Sequence, residues 1–481
     1  LSNYDYRYFK QGNEENTAYY TVSRTKSREV SFFGTATYSY QGKYTINGTM
    51  RYEGSNKLGR SRSARWLPTW NVSGAWNMHE ESFFESLRPS LSNFTLKASY
   101  SLTADRGPAN VTNSLAVIMG YNPWRPLSSV NESGLQITDL ENSELTYEKK
   151  HELNIGAEVG FLENRINLAV DWYKRNNYDL IGLINTMGVG GQVSKLANVA
   201  SMESHGVEFT LSTRNISTKN FKWTTDFIFS NAKNKVTELK SDANVMSMIS
   251  GSGFALEGNP VRSLYSLNFQ GLNKEGLPTF INEKGELTVT DINFQERENK
   301  SHLVYEGSTD PTITGSFGNI FSYKGFKLNV FMTYSFGNVI RLDPVFHNAY
   351  SDLDATPREF KNRWTVAGDE KITTVPVIAD LRQNTMNSYL NKAYNAYNYS
   401  TERIAKGDFI RMKEISVTYE FPKTMVSKLS LSNLSLKIQG TNLFLLYADK
   451  KLNGQDPEFF NSGGVAVPVP KQFTLTLRLG I

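Results

Sequence analysis

The chain has 481 residues, 52 Lys and Arg against 47 Asp and Glu for a formal charge of +5, and no cysteine. It can therefore build neither a disulfide framework nor a thiolate metal site, and its scattered basic residues form none of the stripes that nucleic-acid binding requires. Only 39% of residues are hydrophobic while Tyr, Phe and Trp make up 12%, a balance that suits half-wet strands, and no run of about eighteen apolar residues offers a transmembrane helix.

In chain order, the first signal is Tyr4, Tyr6 and Tyr8, which already alternate near residues 4–10. Residue 1 is Leu and no signal-like apolar segment precedes this strand, so the expectation is a piece of a longer protein. Val30 to Tyr40 alternates Val30, Phe32, Ala36, Tyr38 and Tyr40 against Ser31, Thr35, Thr37 and Ser39. After Gln41 and Gly42, Tyr44, Ile46, Gly48, Met50 and Tyr52 take one face and Lys43, Thr45, Asn47, Thr49 and Arg51 the other. Weaker copies follow at 65–78 and 93–103, then Leu153, Ile155, Ala157, Val159 and Phe161. Ile166, Leu168, Val170 and Trp172 come next, with a weaker copy at 206–213, then Phe221, Trp223, Phe227 and Phe229. A weak copy at 314–323 leads to Leu328, Val330, Met332, Tyr334 and Phe336. Ile415, Val417 and Tyr419, a weak copy at 434–443, and Phe473, Leu475, Leu477, Leu479 and Ile481 close the series. The strand rules give about fourteen strands.

The connections alternate in length as the side chains alternate in polarity. Gln41–Gly42, Leu162–Asn164 and Lys324–Gly325 are tight turns. Between them run long polar stretches, Ser55–Ala64, Ala104–Tyr147, Asn176–His205, Asn231–Thr312, Gly337–Asp408 and Leu445–Lys471. A soluble sandwich has no reason to gather long loops at one end, whereas an outer-membrane barrel has short periplasmic turns and long extracellular loops, with strands of nine to eleven residues. The fold class read from the sequence is thus all-β, a transmembrane antiparallel β-barrel whose apolar face meets lipid and whose polar face lines a lumen. Leu328 and Leu475 are expected at mid-strand on the lipid face, Asn329 and Thr474 on the lumen face. Trp66, Trp70 and Trp76 read as interface-belt and lipid-face residues.

Several strings resemble one family. Glu144 to Gly156 (ELTYEKKHELNIG) is similar to a segment L-x-W-E-x-T-x-x-x-N-x-G, followed by Phe161 to Ile166 and Val170 to Tyr173. Leu196 to Ala200 (LANVA) with Gly206 to Glu208, Gly407 to Tyr419 (GDFIRMKEISVTY) with Pro422, Asn442 to Phe444 (NLF) and Gly454 to Glu458 (GQDPE) continue the pattern in order. Together they resemble the SusC/RagA-like TonB-dependent outer-membrane transporters of Bacteroidota. That resemblance implies a 22-stranded barrel of which residues 1–481 supply the C-terminal portion, with the plug domain and TonB box on a part not in this chain. It implies active import of bulky oligosaccharide or oligopeptide, energised through TonB and capped by a SusD-like surface lipoprotein, in the outer membrane of a Gram-negative bacterium, with a dimer of transporter–lipoprotein pairs as one arrangement it allows. Ile481 stands where outer-membrane proteins often end in Phe.

No catalytic constellation emerges. His79, His151, His205, His302 and His347 are scattered without metal-ligand spacing. Glu80–Glu81 and Asp139/Glu141 are the nearest thing to a glycosidase pair, and Glu80–Glu81 falls in an expected periplasmic turn, where a solvated pair is the simpler reading. Gly188 to Gly191 lacks the Lys of a phosphate loop, and no nucleophile elbow occurs. The reading is therefore no enzyme, no cofactor and no metal. One loop, Gly120 to Pro126 (GYNPWRP), sets Tyr121, Trp124 and Arg125 where aromatic faces can stack on sugar or peptide and Arg can pair a carboxylate. The alternative is a loop packed on its neighbours or on the lid. Two other functions stay open at this point: a stand-alone passive channel, and a secreted glycan-binding β-protein.

Overall fold

The computed structural model describes residues 28–480 except 59–60, 108–115, 122–133, 189–193, 241–242, 252, 351–355, 357 and 461–469. Thirteen of the expected strands pair with their sequence neighbours in one antiparallel sheet; the expected strand at 4–10 lies outside the described residues. In chain order the strands are β1 (Glu29–Tyr40), β2 (Tyr44–Ser55), β3 (Trp66–Asn77), β4 (Leu91–Asp105), β5 (Glu148–Phe161), β6 (Ile166–Asn185) and β7 (Ser194–Ser217). They continue as β8 (Phe221–Leu239), β9 (Ile313–Tyr323), β10 (Phe326–Phe336), β11 (Phe409–Glu420), β12 (Asn433–Ala448) and β13 (Gln472–Gly480). β1 and β13 are its two edges, so the described sheet is an open wall.

The register confirms which residues share a face. Phe94, Val159, Leu168, Leu211, Phe227, Phe317 and Met332 lie opposite one another in turn from β4 to β10, one apolar row across seven strands. Phe32, Ile46, Leu475 and Leu477 are more than half exposed, which only lipid can accommodate at this density. The opposite face is laced with polar pairs. Thr35 and Thr49 are 3.2 Å apart, Ser212 donates to Asp226 at 2.7 Å, and Asn329 donates to Glu414 at 3.0 Å. One polar group interrupts the lipid face: Thr225 donates to Asn319 at 2.7 Å, and Asn215, beside an irregularity in the β7–β8 register, donates to Thr225. Its hydrogen bonds are closed among protein groups, as hydrocarbon demands.

The tryptophans sit where the interface reading puts them. Trp76 stacks on Tyr44 beside the β3–β4 turn, Trp66 stacks on Tyr52 at the opposite end, and Trp70 meets Tyr100 edge-on between them. Gln41 and Gly42 close the first turn, both at positive φ (52° and 70°), the geometry of a tight primed hairpin.

Four expectations need correction. Much of the stretch 176–205 expected as loop is strand: β6 has 20 residues and β7 has 24. At about 3.3 Å per residue β7 spans roughly 80 Å, far more than the nine to eleven residues a bilayer needs, so this hairpin projects beyond the membrane. β8 likewise runs on to Leu239 and β12 to Ala448, past the loop starts expected at 231 and 445. Leu328 is on the lipid face but is the third residue of β10, next to the Lys324–Gly325 turn, so mid-strand belongs to Val330 and Met332. Glu81 is not a freely solvated charge: it accepts from Lys43 at 3.0 Å, from Trp76 at 3.3 Å and from Tyr44, and these bonds, Tyr44 first, hold its carboxyl below the usual range.

The short turns (41–43, 162–165, 218–220, 324–325) and the long connections (106–147, 240–312, 337–408) fall at opposite ends of the sheet. The two longest connections fold into an outer domain with its own core. Val245, Leu267, Phe280, Phe346, Tyr394 and Tyr397 are all nearly inaccessible within it. Its elements are short: the strand Ser263–Leu267 paired with Leu303–Ser308, a three-stranded sheet begun by Phe269–Leu272, and the helix Leu390–Asn398, which buries Tyr394 and Tyr397.

Candidate functional site

The recurrent strings that are far apart in sequence meet at the outer rim. Arg411, third residue of β11, is 5% exposed. Its guanidinium pairs with Asp456 and, through Nε, with Glu458 at 3.2 Å. Arg411 belongs to GDFIRMKEISVTY, and both acids belong to GQDPE. Asn198 of LANVA accepts the Thr146 N–H at 2.9 Å and donates to the Thr146 carbonyl at 3.0 Å, which ties the projecting β6–β7 hairpin to ELTYEKKHELNIG. Around that tie Leu145 and Tyr147 bury against Leu58. At Gly206 an added Cβ would lie 2.6 Å from the Tyr173 ring, so glycine there lets that ring cross β7.

Two further arginines are sunk where the outer domain joins the rim. Arg403 is 3% exposed, pairs with Glu359, donates to the Asp343 carbonyl at 3.1 Å and lies 4.9 Å over the Phe346 ring. Arg341 donates to Tyr265 O, feels the charge of Glu306, and is lowered by burial to about 10, so it stays charged at neutral pH. Burial pushes Glu306 upward, with Arg341 acting against it. A charge as deep as that of Arg403 or Arg411 is sustained by its partner, and the Arg403–Glu359 and Arg411–Asp456 pairs each join segments distant in sequence.

Beside Arg403 opens a cleft of about 730 Å³, lined by Glu359, Arg363, Lys371, Thr374, Glu402 and Lys451 among others. Sequence reasoning missed it, because its lining comes from the 337–408 connection and Lys451 and carries no local motif. The only advance signal was the length of that connection.

The loop singled out from sequence is only partly in view. Tyr121 ends the strand Val117–Tyr121, which pairs with Gly134–Asp139 as a hairpin in the 106–147 connection. Trp124 and Arg125 lie outside the described residues. The histidines stay apart: His151 stacks on Tyr100 within the sheet, while His302 is buried in the outer domain.

Residues 1–368 match the family model described as TonB dependent receptor-like, beta-barrel. The TonB-dependent receptor P3 of Formosa agariphila is 26% identical over 445 residues, 89% of this chain and 42% of that protein. The TonB-dependent receptor SusC of Bacteroides thetaiotaomicron is 23% identical, over 97% of this chain and 44% of its own length. The RagAB peptide importer in its closed-closed state superposes with a TM-score of 0.75 at 23% identity, covering 94% of this chain and 48% of that one. The chain thus spans somewhat under half the length of the relatives it matches.

Proposed function

The chain belongs to the TonB-dependent receptor β-barrel family of the outer membrane, and from that premise we propose that residues 1–481 form the C-terminal portion of a SusC-like nutrient importer's barrel. The importer takes up oligosaccharides or oligopeptides too large for passive pores. A plug-bearing N-terminal part couples it to TonB, and a SusD-like lipoprotein delivers cargo at the outer face. Tyr121, Trp124 and Arg125, from the stretch Gly120 to Pro126, are offered as cargo contacts.

The observation that carries this reading is the asymmetry of the wall. One face is apolar for lipid, the other is a hydrogen-bonded polar lining, and the folded outer domain with its charged cleft stands at the end with the long connections. A passive channel needs no such domain, and a secreted protein would not expose the apolar row. The test is purification of the chain from native outer membranes in mild detergent, with intact masses of everything that accompanies it. Import predicts the plug-bearing part and a lipoprotein in the same complex. This chain alone, folded and conducting, would overturn the reading.

A further inference from the structure

The cleft beside Arg403 has an unequal distribution of hydrogen-bonding capacity, although its formal charges balance. Its acids are committed to the fold. Asp369 accepts the N–H groups of Thr365 at 2.9 Å and Val366 at 3.0 Å, and Glu370 accepts the Trp364 indole at 3.1 Å and the Gly368 N–H at 2.8 Å. Glu359 is taken by Arg403, and Glu402 accepts the Thr374 hydroxyl at 3.2 Å with the Lys451 ammonium 3.7 Å away.

The cations are not committed in the same way. Among the described residues the Arg363 guanidinium has no ion pair and lies 5.4 Å from the centroid of the Phe360 ring, and Lys371, whose charge helps hold Glu370 ionised, forms no ion pair either. Arg403, nearly inaccessible, leaves its Nε–H without a partner among the described residues. We propose that this cleft is a receptor site for an oligomer bearing carboxylate or sulfate groups, held by Arg363 and Lys371 with Arg403 behind them. The planar Arg fork matches either anion, and Lys supplies a point charge beside it. The volume of about 730 Å³ falls in the ~300–1,000 Å³ range of ligand sites. The anion has two sources, an acidic oligosaccharide or an acidic peptide, and both present the same oxygens to the same donors. The inference rests on the import reading only in taking the ligand for cargo.

The experiment is calorimetric titration of the whole complex purified from native membranes with three probes: trigalacturonate, triglutamate and neutral maltotriose. At least one acidic probe binds more tightly than maltotriose, more weakly in high salt, and at least about tenfold more weakly in Arg363→Gln/Lys371→Gln. Lys284→Gln, which removes an exposed cation of the outer domain away from the cleft, leaves binding unchanged. Should the double variant misfold, Lys371→Gln alone, at an exposed side chain, still weakens binding severalfold. Tighter trigalacturonate identifies a glycan source, tighter triglutamate a peptide source. Acidic probes that bind no better than maltotriose, or binding that survives Arg363→Gln/Lys371→Gln, overturn the proposal. Because binding is read without transport, intact binding with uptake undiminished in cells lacking TonB would sink the import reading alone.

Discussion

A single side chain's cost in this protein depends on the face and depth at which it sits. Val330 is mid-strand on the lipid face, Leu328 is two residues nearer the turn, and Asn329 between them faces the lumen. Val330→Arg is expected to destabilise the folded barrel by about 2–4 kcal/mol and Leu328→Arg by about 1 kcal/mol or less, as fits their depths, with Asn329→Arg tolerated. Urea titration of tryptophan fluorescence in liposomes reads all three, and equal costs would refute the assigned faces. Arg411→Ala strands the nearly buried carboxylate of Asp456 and is expected to cost about 3–5 kcal/mol, seen as a lowered midpoint in the same titration. His302 behaves differently. Burial holds its imidazole below the ordinary 6.5, although Glu283 and Glu296 pull the other way. The unfolded chain therefore takes up the proton first, so stability is intact above about pH 6.5 and declines as pH falls below it. Protease resistance of the outer domain should drop from pH 7.5 to pH 5, and His302→Leu should remove most of that drop.

At the scale of elements, strand existence was legible and strand length was not. Every described strand of the wall was visible as a period-two alternation, because lipid on one side and water on the other impose the pattern without help from distant residues. The outer halves of β6 and β7 gave no such signal, since beyond the membrane Asn177, Asp179 and Asn198 answer to local packing rather than to lipid. The cleft was illegible for a related reason: its lining is assembled by the core around Phe346 and Tyr397, from residues with no common spacing. The strings that suggested the family were legible as strings, while their purpose, two ties at the rim, needed coordinates. One tie can be cut by a single substitution. Asn198→Ala removes both hydrogen bonds to Thr146, along with its donation to the Asp179 carbonyl inside the hairpin, and should cost about 1–3 kcal/mol locally. Limited proteolysis in detergent should then cleave the β6–β7 hairpin faster while the transmembrane part stays intact. An unchanged cleavage rate would show that the hairpin is held elsewhere.

For the whole molecule the decisive feature is the pair of free edges. Among the described residues β1 and β13, of twelve and nine residues, each lack a partner strand on one side, and hydrocarbon does not tolerate the unpaired backbone groups of such an edge. The residues 28–480 refolded by themselves into planar bilayers are therefore expected to give no stable single-channel steps. Steady conductance or a sealed pore requires the remaining strands, supplied by co-refolding. Discrete steps from 28–480 alone would mean that the wall closes on itself.

The uneven distribution of connections has a further consequence, for how such a protein can diverge. At one end, in the turns of two to four residues (41–43, 162–165, 218–220 and 324–325), one inserted residue shifts a strand's register and sends its whole apolar set to the lumen side. At the other end 240–312 and 337–408 fold together around one core, and chain can be added there at small entropic cost. Lineages are then free to exchange the outer segments while the turns stay fixed in length. Grafting 240–312 and 337–408 together from a relative should change what the barrel accepts without changing how it sits in the bilayer.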